Sequence, residues 1–482
     1  MSPDAAVAAV VALYLALLLV IGWAAARLTR SPEDFFLAGR SLGSWVTAVS
    51  STASSESGWV VLGAVGMAYA GGVSALWYAP GCLFGYVVNL YFVAPRLRRE
   101  AAARGSLTLP DFLADSLGGS RTVRFLSVAV IFLCLGGYVA AQLTATGKAM
   151  EAILGLPYGR GVVLGGGVIL LYTLLGGFRA VSWTDFVQGL IMVGALTAMP
   201  LLALGAAGGY GPLLSGLQRL DPALVSVAGG KTGFALFGLV TGLFGIGLGY
   251  PGQPHVLTRY MAASSGEKIR QTQVIAMVWG VLVFYGAGYL GLAGRLVRPG
   301  LSDPEQLFPI LAKESLHPLL AGVMLAAILS AIMSTVSSQL LVAASAVSRD
   351  LLERGFGVAR SGRASLLAGR AAVVVLGLLA MAVAVGQVRV VFWFVLFAWS
   401  GLGAAFGPVL LLSLWTRRVT PWGASAGIAT GFLVTVLWKV SGLSDRYIYE
   451  LVPAFFLAGA AVLLAGAVER RLRNTLPRPV VP

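Results

Sequence analysis

About thirteen stretches of this chain are apolar over the roughly 20 residues that a helix needs to cross a hydrocarbon layer. They fall at 5–27, 45–70, 75–95, 123–154, 160–178, 182–206, 232–253, 272–295, 317–348, 366–387, 390–415, 421–440 and 449–468. No soluble globule could bury that much apolar surface, because 58% of the 482 residues are hydrophobic and 11% are charged. A membrane β-barrel would show ten-residue segments of alternating polarity, which this chain lacks. The expected fold is an all-α polytopic membrane protein forming one transmembrane domain.

The net charge of +15 does not indicate nucleic acid. Under the thirteen-span layout about 24 of the 34 Lys and Arg fall in one set of loops, which the positive-inside rule assigns to the cytoplasm. The clusters are Arg27/Arg30/Arg40, Arg96/Arg98/Arg99/Arg104, Arg121/Arg124, Arg259/Lys268/Arg270, Arg349/Arg354/Arg360/Arg363, Arg417/Arg418 and Arg470/Arg471/Arg473. The N-terminus is then outside, the C-terminus inside, and the expected location a bacterial plasma (inner) membrane. The first span carries its arginines after the apolar run and has no basic leader, so it reads as a retained span rather than a signal peptide. Cys82 and Cys134 lie in apolar surroundings, and no His/Cys spacing suggests a metal site.

Two spans are interrupted. The second carries Ser50-Ser51-Thr52-Ala53-Ser54-Ser55-Glu56-Ser57-Gly58 at bilayer depth, where hydroxyls and a carboxylate are unfavourable unless they face protein, water or an ion. The seventh carries Gly245-Ile246-Gly247-Leu248-Gly249-Tyr250-Pro251-Gly252-Gln253-Pro254-His255, which cannot sustain a continuous helix. They lie five spans apart, which points to inverted repeats of spans 2–6 (45–206) and 7–11 (232–415) with a binding site between the breaks. Residues 1–44 and 416–482 would then be additions. In the ninth span Ser334, Ser337 and Ser338 stand at i, i+3 and i+4 on one face, with Thr335 beside them. Two readings of that face stand: oxygen ligands for a desolvated Na⁺, or small residues at a close helix contact. The connector Leu107-Thr108-Leu109-Pro110-Asp111-Phe112-Leu113 reads as a short helix begun by Pro110 and Asp111.

Several ordered stretches carry a resemblance. Phe35 to Gly43, Ala53 to Trp59, Leu107 to Phe112, Gly176 to Asp185, Gly249 to His255 and Met333 to Leu341 together resemble the sodium/solute symporter family, closest to its sodium/proline branch. The resemblance implies a LeuT-type fold of two inverted five-helix repeats, Na⁺ as coupling ion and no organic cofactor. It implies a first sodium site of the carbonyls of Ala53, Glu56 and Ala331 with the hydroxyls of Ser334 and Thr335. It implies, for some members, a second site matching Asp185, Ser334, Ser337 and Ser338; Asp185 also reads as a cap or anchor near a helix start. A substrate pocket is implied at Ser57, Gly58, Trp59, Tyr138, Gln142, Ile246 and Tyr250.

Two departures bear on chemistry. The proline branch has Asp-Met-Ser-Gly at the break of the second span, whereas this chain has Ser55-Glu56-Ser57-Gly58, so the acid is displaced by one residue. Glu56 can neutralise Na⁺, meet a substrate amine, or titrate and couple to protons. Ile246 stands where the branch has Trp, which widens the pocket. The expected function is sodium-coupled import of a small organic solute, proline or another amino acid first. Proton coupling, or a different solute such as pantothenate or a monocarboxylate, is the alternative. An enzyme would need a catalytic set that His255 and His317 do not supply. A sensor would carry a signalling domain beyond the last span, and an uncoupled channel would pass solute without accumulation. Expected partners are the solute, Na⁺ and lipid, with no nucleic acid and no obligate protein.

Overall fold

A computed structural model describes residues 2–358, 362–386 and 391–475, without the side chains of 391–394, Asp445 and Thr475. Arg360 and the ends of two expected spans, at 387 and 390, lie outside the described residues. Among the described residues the structure is helical, with a single isolated bridge between Leu42 and Ala263.

The helices are α1 (Pro3–Ala26), α2 (Ser44–Ser55), α3 (Trp59–Arg104), α4 (Leu109–Ser116), α5 (Arg121–Leu154), α6 (Tyr158–Ala206) and α7 (Gly233–Gly252). They continue as α8 (Pro254–Ala262), α9 (Gly266–Val297), α10 (Pro318–Gly355), α11 (Gly362–Val385), α12 (Val391–Trp415), α13 (Pro421–Val440) and α14 (Leu451–Thr475). Eleven helices among the described residues are long and apolar enough to cross a membrane, fewer than the thirteen spans expected. The difference lies in α3 and α6, which run for 46 and 49 residues. At 1.5 Å per residue each would be about 70 Å long, more than twice the hydrocarbon thickness. Each is broken at a glycine in the left-handed φ range, Gly72 (φ 65°) in α3 and Gly177 (φ 55°) in α6. Counting each side of these glycines as a separate pass, with α2 continued by the start of α3, recovers thirteen crossings.

Local chemistry explains most boundaries. Ser2 caps α1 with Pro3 in the first turn, and Thr108 caps α4 by accepting from the Asp111 backbone N–H at 3.0 Å. The short helix Pro32–Leu37 opens with a reciprocal capping box between Ser31 and Asp34. Burial then separates core from periphery: 78% of the most apolar window is buried in α10, against 28% in α11 and α14. The outer helices turn Leu13, Val20, Leu378, Leu379 and Leu464 outward, the side chains a lipid environment solvates.

Glycines let backbones meet where the seventh span breaks. A Cβ on Gly247 would sit 1.9 Å from the Gly81 carbonyl oxygen, and one on Gly81 would sit 2.4 Å from the Phe244 carbonyl oxygen. That contact leaves no room for a methyl group. Gly247→Ala is therefore expected to reduce the yield of monodisperse protein in detergent sharply. Gly194→Ala, where nothing lies within 4 Å, should leave it unchanged. Equal yields of the two variants would refute the close approach.

The arginine-rich end is sealed by side chains. Arg40 donates to the carbonyls of Met261 (3.1 Å) and Ser106 (2.8 Å), and Arg98 to those of Ala263 and Ser264. Asp111 of α4 accepts from Arg124 and from Arg349 (2.9 Å), while Thr108 donates to Asp350 at 2.7 Å. Burial pushes the Asp111 carboxyl up, but Arg349 and Arg124 outweigh it and hold the group below the usual carboxylate range.

Candidate functional site

The second-span break is real and falls where the polar string predicts. Glu56 ends α2 with φ −99° and ψ 86°, so its carbonyl leaves the helical ladder. The last backbone bond of α2 runs from Glu56 N–H to the Thr52 carbonyl at 3.0 Å. The next two carbonyls accept from α10: Ser334 donates to Ala53 at 3.0 Å, and Thr335 donates to Ser54 at 3.3 Å. Both hydroxyls also reach the Ala331 carbonyl, at 3.3 and 3.1 Å. Carbonyls and hydroxyls thus converge in a buried, all-oxygen nest, a donor set suited to a hard monovalent cation. Ala53, Ala331, Ser334 and Thr335 are brought together, with Ser54 an additional member.

The Glu56 side chain turns the other way. Its Oε1 accepts from Tyr250 (2.6 Å), Ser55 (3.0 Å) and Tyr86 (3.2 Å), and it has no ion-pair partner among the described residues. Glu56 is 2% exposed, so this is a buried carboxylate satisfied by phenols and a hydroxyl but not by charge. It lines a small cavity with Ser55, Ser57, Trp59, Tyr138, Ile246, Tyr250 and Trp399. Rings stack edge-on around it: Tyr86 to Tyr250 at 5.0 Å and Tyr250 to Trp399 at 4.9 Å between centroids.

The seventh-span break positions these rings. A short 3-10 turn, Ile246–Gly252, separates Gly233–Gly245 from α8. Trp399 donates to the Ile246 carbonyl at 3.1 Å, and Asn89 donates to the Tyr250 carbonyl at 2.9 Å, satisfying backbone groups that the break frees. Tyr138 donates to Ser57 at 3.3 Å. Gly58 sits between Ile332 and Gln142, both within 4 Å of where its Cβ would stand.

Trp59 also borders a wider funnel with Gln142, Lys148, Asp303, Glu305 and Ile328. This funnel lies towards the end of α5 opposite Arg121, away from the arginine-rich end. Two buried polar atoms of its lining residues have no partner: Trp59 Nε1, a donor, and Gln142 Oε1, an acceptor. Burial raises the Glu305 carboxyl above its usual range, with neighbouring Asp303 adding to the effect.

The second expected ion site is arranged differently. Asp185 Oδ2 accepts from Arg259 at 2.6 Å and from Ser50 at 2.8 Å, while Ser338 stands 3.4 Å away. Ser337 donates to the Ser334 carbonyl at 3.2 Å within its own helix, and Ser334 is engaged with Ala53. Arg259, which the thirteen-span layout puts in an inner loop, is fully buried on α8, every residue of which is buried. Sequence reasoning also passes over Ser50, Tyr86 and Trp399. The polar string contains Ser50, and its position one turn before Ser54 was the available signal.

The family model described as the sodium:solute symporter family matches residues 35–431. The high-affinity proline transporter PutP of Bacillus subtilis is 39% identical over 91% of this chain and 93% of its own length. The chain belongs to the sodium:solute symporter family. The sodium/proline symporter of Escherichia coli K12 is 37% identical, covering 93% of this chain and 90% of the relative. Among solved structures, a Na⁺-coupled sialic acid symporter in a substrate-bound outward-open state superposes with a TM-score of 0.84, at 19% identity and over 97% of both chains. A nucleobase-cation-symport-1 family transporter superposes with a TM-score of 0.57 at 13% identity, covering 93% and 96%. This family member is an integral membrane symporter with the LeuT-type fold that the resemblance implies, and sodium and a small solute are what it handles.

Proposed function

We infer that this symporter imports proline with sodium. The observation that carries the reading is the buried, charge-uncompensated Glu56 carboxylate in a cavity walled by aromatic rings. A carboxylate in that setting is stabilised by an arriving cation, and the ammonium of a small amino acid supplies one. Trp59, Tyr138 and Tyr250 cover an apolar ring, and Gln142 Oε1, unpartnered in the funnel that Trp59 also borders, offers the solute a further acceptor. The solute's carboxylate meets Trp59 Nε1 and the start of the half-helix at Trp59, the positive end of its dipole. Ile246 in place of a larger ring leaves room for solutes somewhat bulkier than proline. The names of the Bacillus and Escherichia relatives favour proline among the candidates.

Sodium is read as cargo bound by Ala53, Ser54, Ala331, Ser334 and Thr335, with the Glu56 carbonyl added from the family resemblance. Bound there, it joins the end of α2 to α10 and fixes the break that carries Glu56 and Trp59, so sodium and solute tighten each other's binding equally. The arginine-rich end is taken as cytoplasmic, with the N-terminus outside and the C-terminus inside. The funnel then faces outward and the seal at Arg40, Arg98 and Arg124 closes the inner side. Residues 45–206 and 232–415 are read as inverted repeats that rock against each other, with 1–44 and 416–482 as additions. The chemistry is transport, with no catalytic group and no organic cofactor assigned.

Uptake of radiolabelled proline into proteoliposomes tests the reading, with an inward Na⁺ gradient, an inward H⁺ gradient or neither, and with other amino acids, pantothenate and monocarboxylates as competitors. Concentrative uptake that requires sodium is expected. Uptake driven by protons alone would reassign Glu56 as a proton carrier. Fast uncoupled flux would indicate a channel, and absence of proline uptake a different solute.

A further inference from the structure

The buried surroundings of Asp185 already contain a cation. Four helices contribute to them: Ser50 from α2, Asp185 from α6, Arg259 from α8 and Ser338 from α10. Every guanidinium nitrogen of Arg259 is used, with Nε donating to Ser50 at 3.0 Å, Nη1 to the His255 carbonyl, and Nη2 to both Asp185 and Ser338. The guanidinium carbon also lies 5.1 Å from the centre of the Phe178 ring. Neither charge of the pair is exposed.

These are the residues at which the family resemblance implies a second sodium, and they do not fit one. Asp185 and Arg259 sum to zero, so an added Na⁺ would leave a net positive charge in a site without water access. The ion would also have to displace Arg259 from Asp185 Oδ2 or bind Oδ1 alone, since Ser334 and Ser337 donate elsewhere. One carboxylate oxygen is a poor replacement for a hydration shell.

We propose that Arg259 is the resident cation of the Asp185 pocket and holds the place of a second sodium, so the chain binds one Na⁺, at the Ala53/Ser334/Thr335 nest, for each solute it carries. The guanidinium bonds α2, α6, α8 and α10 together permanently, as a second ion would do only when bound. Unlike a bound ion, it cannot leave, so the pocket contributes no sodium dependence. This rests on the sodium-coupled reading above, and the test separates the two.

The experiment counts sodium bound to the purified full-length protein by equilibrium binding of radiolabelled Na⁺, alongside the ratio of labelled sodium to proline entering proteoliposomes. The wild type is expected to bind one sodium per chain and to move one per proline. Ser334→Ala with Thr335→Ala should remove the bound sodium. The charge-neutral pair Asp185→Asn with Arg259→Gln should retain it. Arg259→Gln alone, which leaves Asp185 without its cation, should gain a second bound sodium. Two sodium ions bound to the wild type overturn the proposal, as does sodium that persists in the Ser334/Thr335 variant and disappears with Asp185→Asn. Wild-type binding decides the matter even if Arg259→Gln does not fold. Absence of sodium-driven proline uptake with one sodium still bound would sink the transport reading and leave this one standing.

Discussion

Glu56→Gln is expected to abolish high-affinity proline binding while leaving sodium affinity close to that of the wild type. Gln keeps the length of the side chain, and its carbonyl can still accept from Tyr250 and Tyr86, so the geometry of the break survives. What it removes is the charge that meets the solute's ammonium. Deleting one partner of a buried, hydrogen-bonded charge pair typically costs about 2–5 kcal/mol, or roughly 30- to several-thousand-fold in affinity. Sodium is affected little, because the carboxylate faces the aromatic cavity and the ion nest is built from carbonyls and α10 hydroxyls. Binding of labelled proline and of labelled sodium, measured separately on the same preparation, checks both halves. Lost sodium binding with intact proline affinity would return Glu56 to the ion. The same argument predicts that monocarboxylates without an amine do not compete, since they would add a second negative charge beside Glu56.

Glu56 also marks where reading the sequence reaches its limit. The crossings were legible because each is a long apolar run closed by a charged, Gly or Pro boundary. Both breaks were legible because hydroxyls, Gly and Pro are unfavourable in mid-membrane helices. The pairing of Ser334 and Thr335 with α2 followed from the hydroxyl face together with the family resemblance. The direction of the Glu56 side chain did not follow, because at φ −99° and ψ 86° the backbone is no longer helical and a 100° rotation per residue has no meaning there. Arg259 was misassigned for a related reason. A cation shortly after a Gly/Pro-rich break reads as a loop residue, and only tertiary packing reveals that α8 continues into the core opposite Asp185. Tyr86 and Trp399 lie on continuous apolar helices, where an aromatic residue is ordinary and carries no signal of its own. The two passes within α3 and within α6 part at Gly72 and Gly177, whose positive φ takes the backbone out of the helical range.

The second large effect concerns sodium. Replacing both Ser334 and Thr335 with Ala is expected to raise the half-saturating sodium concentration roughly 10- to 150-fold, because a hydrogen-bonding contact to a charged group contributes roughly 1.5–3 kcal/mol and two such oxygens are lost. The two losses need not add, since both hydroxyls share the Ala331 carbonyl. In the structure these hydroxyls donate to the Ala53 and Ser54 carbonyls. Binding the ion requires each hydroxyl to turn its hydrogen away and present a lone pair, so the bridge between α2 and α10 passes from hydrogen bonds to the ion. At low sodium the double variant has neither bridge, and the end of α2 then lacks the support that positions Glu56 and Trp59. Proline affinity should consequently fall at low sodium and recover towards the wild-type value once sodium saturates, by the reciprocity of linked binding. A proline affinity lowered equally at every sodium concentration would show that the hydroxyls only pack two helices together. Unchanged sodium dependence of uptake would remove the ion from α10 altogether.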